Sequence, residues 1–261
     1  MTTVREATDR LTAAGVASPE YDARALLRYA TSTGDDPETL VAARASRVPL
    51  QHLLGSAGFR YLDVAVGPGV FIPRPETELL VDEVLKAIAH LTAPRVVDLC
   101  AGSGAIGLSV AHEQPRATVD LVESSDAAMP WLHRNSAGYD RVIAHHADLA
   151  AAPADADGMI DVVVSNPPYV PVDERDLVDP EVRDHDPHEA LWGGADGLDV
   201  VRRVIVRAKE LLRPGGALVV EHSERQGAEV PELLVAAGFG AIADHRDLTG
   251  RPRYATAVWP G

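Results

Sequence analysis

The sequence predicts an α/β protein in two parts: a small N-terminal helical domain, then a mostly parallel sheet with helices on both faces. Three observations predict it. Residues 2–54 carry helical patterning only, interrupted by Gly15, Pro19 and the cluster Gly34-Asp35-Asp36-Pro37. From Arg95 onward, short β-rich runs alternate with helical stretches, the pattern of repeated βα units. A glycine-rich stretch, Asp98-Leu99-Cys100-Ala101-Gly102-Ser103-Gly104-Ala105-Ile106-Gly107, follows the first of these runs and opens a helix, as in a Rossmann-like domain.

The elements follow in order. Leu26, Leu27 and the alanines around them supply the apolar stripe that one face of a helix buries. The period then changes. Phe59, Tyr61 and Val64, with Val66, Val70 and Phe71 beyond, predict two extended pieces about Gly67-Pro68-Gly69, a hairpin linking the two parts. A helix is expected over 75–91: Pro75 suits a first turn, whose N–H has no intrahelical partner, and Glu76 and Glu78 suit the positive end of the helix dipole. Strands are expected at Arg95–Leu99, Thr118–Val122, Val142–His145, Ile160–Ser165, Ala217–Glu221, Ala241–His245 and Tyr254–Val258. Pro130 breaks or restarts the helix after Glu123. The division is 1–55 helical, 56–74 linking hairpin and 75–261 sheet domain.

Composition narrows the function. The formal charge is −15, from 39 acidic and 24 basic side chains. Nucleic-acid binding draws its affinity from Lys and Arg on phosphates, so this balance argues against a DNA or RNA substrate. A single cysteine, Cys100, excludes an intrachain disulfide and a cysteine-rich zinc site. The N-terminus has no signal-peptide pattern, and no run approaches the ~18 apolar residues of a membrane span. A cytoplasmic protein without a membrane partner is expected. His185, His188, Asp184, Asp186 and Glu189 match no metal-ligand spacing and read as a solvated acidic lid over the substrate, so no metal is expected. Arg74 reads either as a contact to substrate or cofactor carboxylate, or as half of a structural ion pair.

Glycines in the Asp98–Gly107 loop permit a sharp turn and close approach of a ligand to the backbone. Glu123, at the end of the next strand, is where a carboxylate accepts ribose hydroxyls. Gly102, Gly104 and Gly107 also spell the dinucleotide motif, which alone does not choose a cofactor. Two likenesses favour S-adenosylmethionine over a nicotinamide dinucleotide. Methyltransferases commonly begin this loop with an acid, here Asp98, and Leu212-Arg213-Pro214-Gly215-Gly216-Ala217-Leu218 resembles the turn many of them carry before their fifth strand.

Asn166-Pro167-Pro168-Tyr169 follows Ile160–Ser165, a run that reads as a buried parallel strand. Ligands of such sheets lie beyond the carboxyl ends of the strands, so the tetrapeptide faces whatever the glycine loop holds. Its chemistry suits a planar nitrogen. The Asn166 side-chain oxygen and the Pro167 carbonyl accept its two N–H groups, which aims the nitrogen and favours build-up of its lone pair. The prolines bring no competing N–H, and the Tyr169 ring packs on the planar group. The arrangement points to N-methylation without choosing the nitrogen, and the tetrapeptide alone also resembles that of adenine-N6 DNA methyltransferases and guanine-N2 ribosomal RNA methyltransferases.

A second set of segments resembles the protein-(glutamine-N5) methyltransferases of the HemK/PrmC type. These are Val48–Gly55, Phe71–Val81, His185–Leu198 and Arg246–Arg251, which with the two central motifs carry the likeness from about residue 48 to the C-terminus. The resemblance implies a class I S-adenosylmethionine-dependent fold, a helical domain that recognises the protein substrate, and methylation of a glutamine side chain. It implies as partner a peptide-chain release factor, at its Gly-Gly-Gln loop, or another protein carrying the target glutamine. It implies Asp98, Cys100, Ala101, Gly102, Ser103 and Gly104 at the methionine end of the cofactor, Glu123 at the ribose, and Asp148 and Leu149 by the adenine. Asn166 would touch both ligands, with Asn166, Pro167 and Tyr169 catalytic and Asn166 to Tyr169 holding the glutamine amide. The chain departs from the family at Cys100 and Ala101, where glycine and threonine are usual, at Leu149, often aromatic, and in a short stretch before residue 48.

Overall fold

The structure, a computed structural model, describes residues 2–261. Four helices occupy the N-terminal part: α1 (Val4–Ala13), α2 (Pro19–Thr33), α3 (Pro37–Ala45) and α4 (Leu50–Leu54). Their starts are written locally. The Thr3 hydroxyl accepts the Glu6 N–H while the Glu6 carboxylate accepts the Thr3 N–H, and Asp36 caps α3. Pro19 and Pro37 stand in first turns, and Gly34 ends α2 in the left-handed region at φ 84°. Ala7, Leu11, Leu26, Val41 and Leu50 form a core of their own.

The linking hairpin is β1 (Ser56–Phe59) with β2 (Leu62–Ala65), antiparallel and closed by the pair Phe59 and Leu62. Its turn is therefore Arg60-Tyr61 and not Gly67-Pro68-Gly69, which corrects the expectation. The two glycines serve close approach instead. A Cβ on Gly67 would lie 2.5 Å from the Trp131 ring, and one on Gly69 would lie 2.9 Å from the Ala127 Cβ. Arg60 meanwhile accepts φ 51° because its backbone N–H and guanidinium are tied to Glu78, Asp82 and Glu113.

A 3₁₀ turn, Pro75–Thr77, leads into α5 (Glu78–Ile88), so the α-helix is shorter at both ends than the expected 75–91. The sheet domain continues as β3 (Arg95–Leu99), α6 (Ala105–Glu113), β4 (Thr118–Glu123), α7 (Met129–Ser136), β5 (Val142–His146) and β6 (Ile160–Ser165). Then come α8 (Pro180–His185), α9 (His188–Leu191), α10 (Asp199–Leu211), β7 (Leu212–Glu221), α11 (Glu229–Ala237), β8 (Gly240–Arg246) and β9 (Pro252–Val258). Pro130 lies in the first turn of α7, where it starts a helix without costing a hydrogen bond.

The strands form one seven-stranded sheet in the order β5-β4-β3-β6-β7-β9-β8. Strands β5, β4, β3, β6 and β7 are parallel, and β9 runs antiparallel to both β7 and β8. Strands β3, β6 and β7 each carry a buried apolar run, Val96-Val97, Val162-Val163-Val164 and Leu218-Val219-Val220, because each sheet face is covered there. One core joins β3, β4 and β6 to α5, α6, α7 and the hairpin; the other joins them to α10 and α11. From β3 the chain first builds outward to β4 and β5, then returns to lay β6 on the opposite side of β3. That reversal opens a crevice beyond the carboxyl ends of β3 and β6.

Candidate active site at the reversal point of the sheet

The register sets the site. Leu99 stands opposite Ser165, whose hydroxyl donates to the Leu99 carbonyl at 2.7 Å. The glycine loop and Asn166 therefore leave the sheet side by side. Between them lies a cavity of about 330 Å³. Cys100, Ala101, Gly102, Ser103, Glu123, Asp148, Leu149 and the whole of Asn166 to Tyr169 line it. Asp98 and Gly104 do not; they act from beneath the wall.

Asp98 is fully buried at the end of β3, and its Oδ2 accepts the Gly107 N–H at 3.0 Å, fastening the start of α6 to the strand. Burial pushes its carboxyl up to about 7, with the charge of Glu123 adding to the rise. Gly104 starts α6 at φ 85°, and a Cβ there would lie 2.8 Å from Leu132. Gly102, at φ 56°, has only open space where a Cβ would be, so its main chain is bare toward the cavity. The Gly102 N–H donates to Glu123 Oε2 at 2.8 Å. Glu123 Oε1 accepts two further N–H groups, from Ser124 and Ser125, while Oε2 keeps a free lone pair. The Cys100 thiol is pushed up to about 12 by burial, so it is an inert part of the wall.

Beyond β5, Leu149 is buried as an apolar wall, and exposed Asp148 accepts from Arg203 at 2.5 Å. Arg203 also lines the cavity. Its place on α10, distant in sequence from Asp148, left no motif by which to find it.

On the opposite wall, Asn166 Nδ2 donates to Thr77 Oγ1 at 3.3 Å, and Thr77 Oγ1 donates to Glu221 Oε2 at 2.7 Å. The Tyr169 hydroxyl donates to the other oxygen, Glu221 Oε1, at 3.0 Å. Burial, and then the Glu221 charge, drive the Tyr169 hydroxyl well above the usual phenol range, so it remains a donor. Gln226 Nε2 donates to the Tyr169 carbonyl at 3.1 Å. Among the described residues, no N–H or O–H takes up Asn166 Oδ1 or the Pro167 carbonyl, which leaves two acceptors free at the cavity. Thr77, Glu221 and Gln226 were not picked out from the sequence as site residues.

The segment 172–198 closes the site from above. Val170 and Trp192 bridge as parallel neighbours, with the Val170 N–H on the Leu191 carbonyl and the Gly193 N–H on the Val170 carbonyl, both at 2.9 Å. Gly193 and Gly197 let this turn lie on the tetrapeptide: Cβ atoms there would come within 2.7 Å of the Pro168 carbonyl and 2.3 Å of the Tyr169 carbonyl. Val182, Pro187, Glu189 and Leu191 complete the roof, and the Ser125 hydroxyl donates to Glu189. Arg74 turns out to be half of an ion pair, stacked at 4.8 Å on Phe71 and joined to Asp186. Asp186 is buried, which corrects the reading of that lid acid as solvated; burial pushes its carboxyl up to about 6 even against the Arg74 charge.

The chain is 47% identical to the release factor glutamine methyltransferase of Streptomyces coelicolor, over 97% of its own length and 96% of that protein's. The chain belongs to that family. Relatives of the same name from Mycolicibacterium smegmatis and Bifidobacterium longum are 44% and 42% identical over 98% of the chain, covering 96% and 98% of those proteins. Residues 63–178 match the Methyltransferase small domain. Among solved structures, the hMettl16 catalytic domain in complex with an RNA hairpin is 18% identical, covers 84% of this chain and 81% of that one, and superposes with a TM-score of 0.64. The T. Thermophilus 16S rRNA N2 methyltransferase RsmC in complex with AdoMet and guanosine is 22% identical at TM-score 0.53, over 79% of this chain and 44% of its own. These likenesses show the class I methyltransferase fold.

This release factor glutamine methyltransferase family member is an S-adenosylmethionine-dependent methyltransferase, which resolves the choice the glycine motif left open. The cavity fits that cofactor. Its volume of about 330 Å³ lies in the ordinary range of about 300–1,000 Å³ for small-molecule sites. Gly102 presents bare backbone, Glu123 Oε2 has a lone pair for a ribose hydroxyl, and Leu149 offers an apolar wall for a planar base. Among the described residues, no helix is long and apolar enough to cross a membrane.

Proposed function

We propose that this methyltransferase methylates the side-chain amide nitrogen of a glutamine in a peptide-chain release factor, at its Gly-Gly-Gln loop. The observation that carries the proposal is the pair of free acceptors, Asn166 Oδ1 and the Pro167 carbonyl, on a cavity whose other wall fits S-adenosylmethionine. The names of the near-full-length relatives support the same substrate.

An amide nitrogen is a poor nucleophile because its lone pair is delocalised. S-adenosylmethionine supplies a methyl group on a sulfonium sulfur. Asn166 Oδ1 and the Pro167 carbonyl each accept one hydrogen of the glutamine NH2, fixing the direction of the nitrogen. Both bonds strengthen as positive charge grows on that nitrogen, so they stabilise the transition state more than the ground state. The Tyr169 ring and Pro168 flank the planar amide. Neither acceptor is a base at neutral pH, so the proton the nitrogen gives up passes to solvent. Cys100 to Gly104, Glu123, Asp148 and Leu149 hold the cofactor in this reading, with Asp98 and Gly104 acting by shaping the loop.

Residues 1–55 are assigned to substrate recognition. Glu181 on α8 bridges Arg44 and Arg47 of the helical part at 3.0 and 2.8 Å, and its neighbour Val182 forms part of the cavity roof. A protein docking on these helices thus bears on the roof directly. The test is to give the enzyme methyl-labelled S-adenosylmethionine in a lysate lacking this activity. Label in a protein of release-factor size supports the proposal, and label in RNA or DNA contradicts it.

A further inference from the structure

We infer that Glu221, acting through the Thr77 hydroxyl, sets which end of the Asn166 amide faces the cavity, so that Glu221 and Thr77 are positioning residues for methyl transfer. The inference rests on the glutamine reading above and adds to it a device that prepares the acceptor pair.

The argument is one of donor supply. Thr77 Oγ1 carries a single hydrogen and lies between two partners, Glu221 Oε2 at 2.7 Å and Asn166 Nδ2 at 3.3 Å. An ionised Glu221 only accepts, so the Thr77 hydrogen points to it. Thr77 can then only accept from Asn166, which must present its NH2. Asn166 Oδ1 is thereby turned to the cavity, where the N–H donor of a substrate amide needs it. If Glu221 carries a proton on Oε2, it donates to Thr77, and the freed Thr77 hydrogen donates to Asn166 Oδ1. The amide then flips and puts its own NH2 in the cavity, donor against donor. One proton on a buried carboxyl thus converts the site from competent to blocked.

The surroundings make that proton available. Glu221 is fully buried at the end of β7 and makes no ion pair among the described residues. Arg253 on β9 faces it but pairs with Asp247 at 3.3 Å. Glu76 and Thr77 face it from the 3₁₀ turn, and Tyr169 from the loop after β6. Burial pushes the carboxyl up to about 7; the Thr77 and Tyr169 hydroxyls and the Arg253 charge oppose the rise, and the Glu76 charge adds to it. The ionised, competent form therefore gains ground as pH rises through neutrality.

Two readouts on the full-length protein test this. The first is the side-chain NH2 signal of Asn166 in protein labelled with nitrogen-15 asparagine, identified by its loss in Asn166→Asp. The expected signal moves with a midpoint near pH 7 in the wild type and in Thr77→Ser. It does not move in Thr77→Val or in Glu221→Gln, which reach the same point from opposite ends of the relay. The second is the pH–rate profile for methyl transfer to a release factor. We expect kcat to fall about 10–100-fold in Thr77→Val and to recover in Thr77→Ser, with S-adenosylmethionine affinity within about threefold throughout. The acidic limb of the wild-type profile is expected to disappear in Thr77→Val. A titration of unchanged midpoint in Thr77→Val, or kcat within about twofold of wild type there, overturns the relay. Titration of the Asn166 signal in a wild type that puts no methyl on glutamine leaves the relay standing and overturns the substrate reading.

Discussion

At the scale of single residues, the site leaves particular atoms unsatisfied while the polar atoms beside them are paired. Asn166 Oδ1 and the Pro167 carbonyl are free acceptors, whereas each neighbouring polar atom of the Thr77, Glu221 and Tyr169 network is taken up. Asn166→Ala is expected to lower kcat by at least about 100-fold, the scale of losing a group aimed at developing charge, while S-adenosylmethionine affinity stays within about tenfold. Equal losses in binding and turnover, by calorimetry and initial rates, contradict the assigned role. Glu123→Ala is expected to weaken S-adenosylmethionine binding first, because it removes both the free lone pair and the carboxylate that holds the Gly102 N–H. Unchanged binding by calorimetry contradicts the ribose assignment. Residues that line the cavity through local motifs were legible in the sequence: the bare glycine loop, the acid ending β4, and the donor-free proline pair. Thr77 and Glu221 were not, because they meet across 144 positions and neither carries a local signal.

At the scale of elements, the strands were the most readable feature, since burial on both faces leaves short β-branched runs, Val96-Val97 in β3 and Val162-Val163-Val164 in β6. Turns were less so. Gly67-Pro68-Gly69 has the composition of a hairpin turn, yet those glycines exist to admit Trp131 and Ala127, contacts formed far along the chain. The actual turn residue, Arg60, is held at φ 51° by carboxylates of α5 and α6. The roof segment shows the same principle at work on function. Gly193 lies where a Cβ would meet the Gly197 carbonyl at 2.4 Å and the Pro168 carbonyl at 2.7 Å, both backbone atoms that cannot swing aside. Gly193→Ala is expected to destabilise the fold by only about 1–3 kcal/mol, the usual scale of overpacking. Its larger effect is a displaced tetrapeptide, read as at least a tenfold loss of kcat, on the order of that for a misplaced reacting group. Wild-type turnover in a folded Gly193→Ala protein contradicts this account of the roof.

At the scale of the whole molecule, the site is maintained against a cost in buried charge. Asp98, Glu221 and Asp186 all have carboxyls raised by burial, to about 7, about 7 and about 6. A raised acid binds more protons folded than unfolded, so folding stability falls as pH climbs from the unfolded value, near 4, through the folded one. Asp98→Asn removes one such group while keeping an oxygen for the Gly107 N–H. The melting temperature of Asp98→Asn relative to wild type is accordingly expected to rise between pH 5 and pH 8; a difference independent of pH contradicts the burial of a titrating Asp98. The overall charge of −15 disfavours a nucleic-acid substrate, whose phosphates are held by Lys and Arg. The measurement that tests the central claim most directly uses the purified enzyme, methyl-labelled S-adenosylmethionine and an unmethylated release factor, with label located by peptide mass spectrometry. The account predicts one methyl group on the side-chain nitrogen of the Gly-Gly-Gln glutamine, lost in Asn166→Ala; methyl on any other atom, or its persistence in that variant, contradicts it.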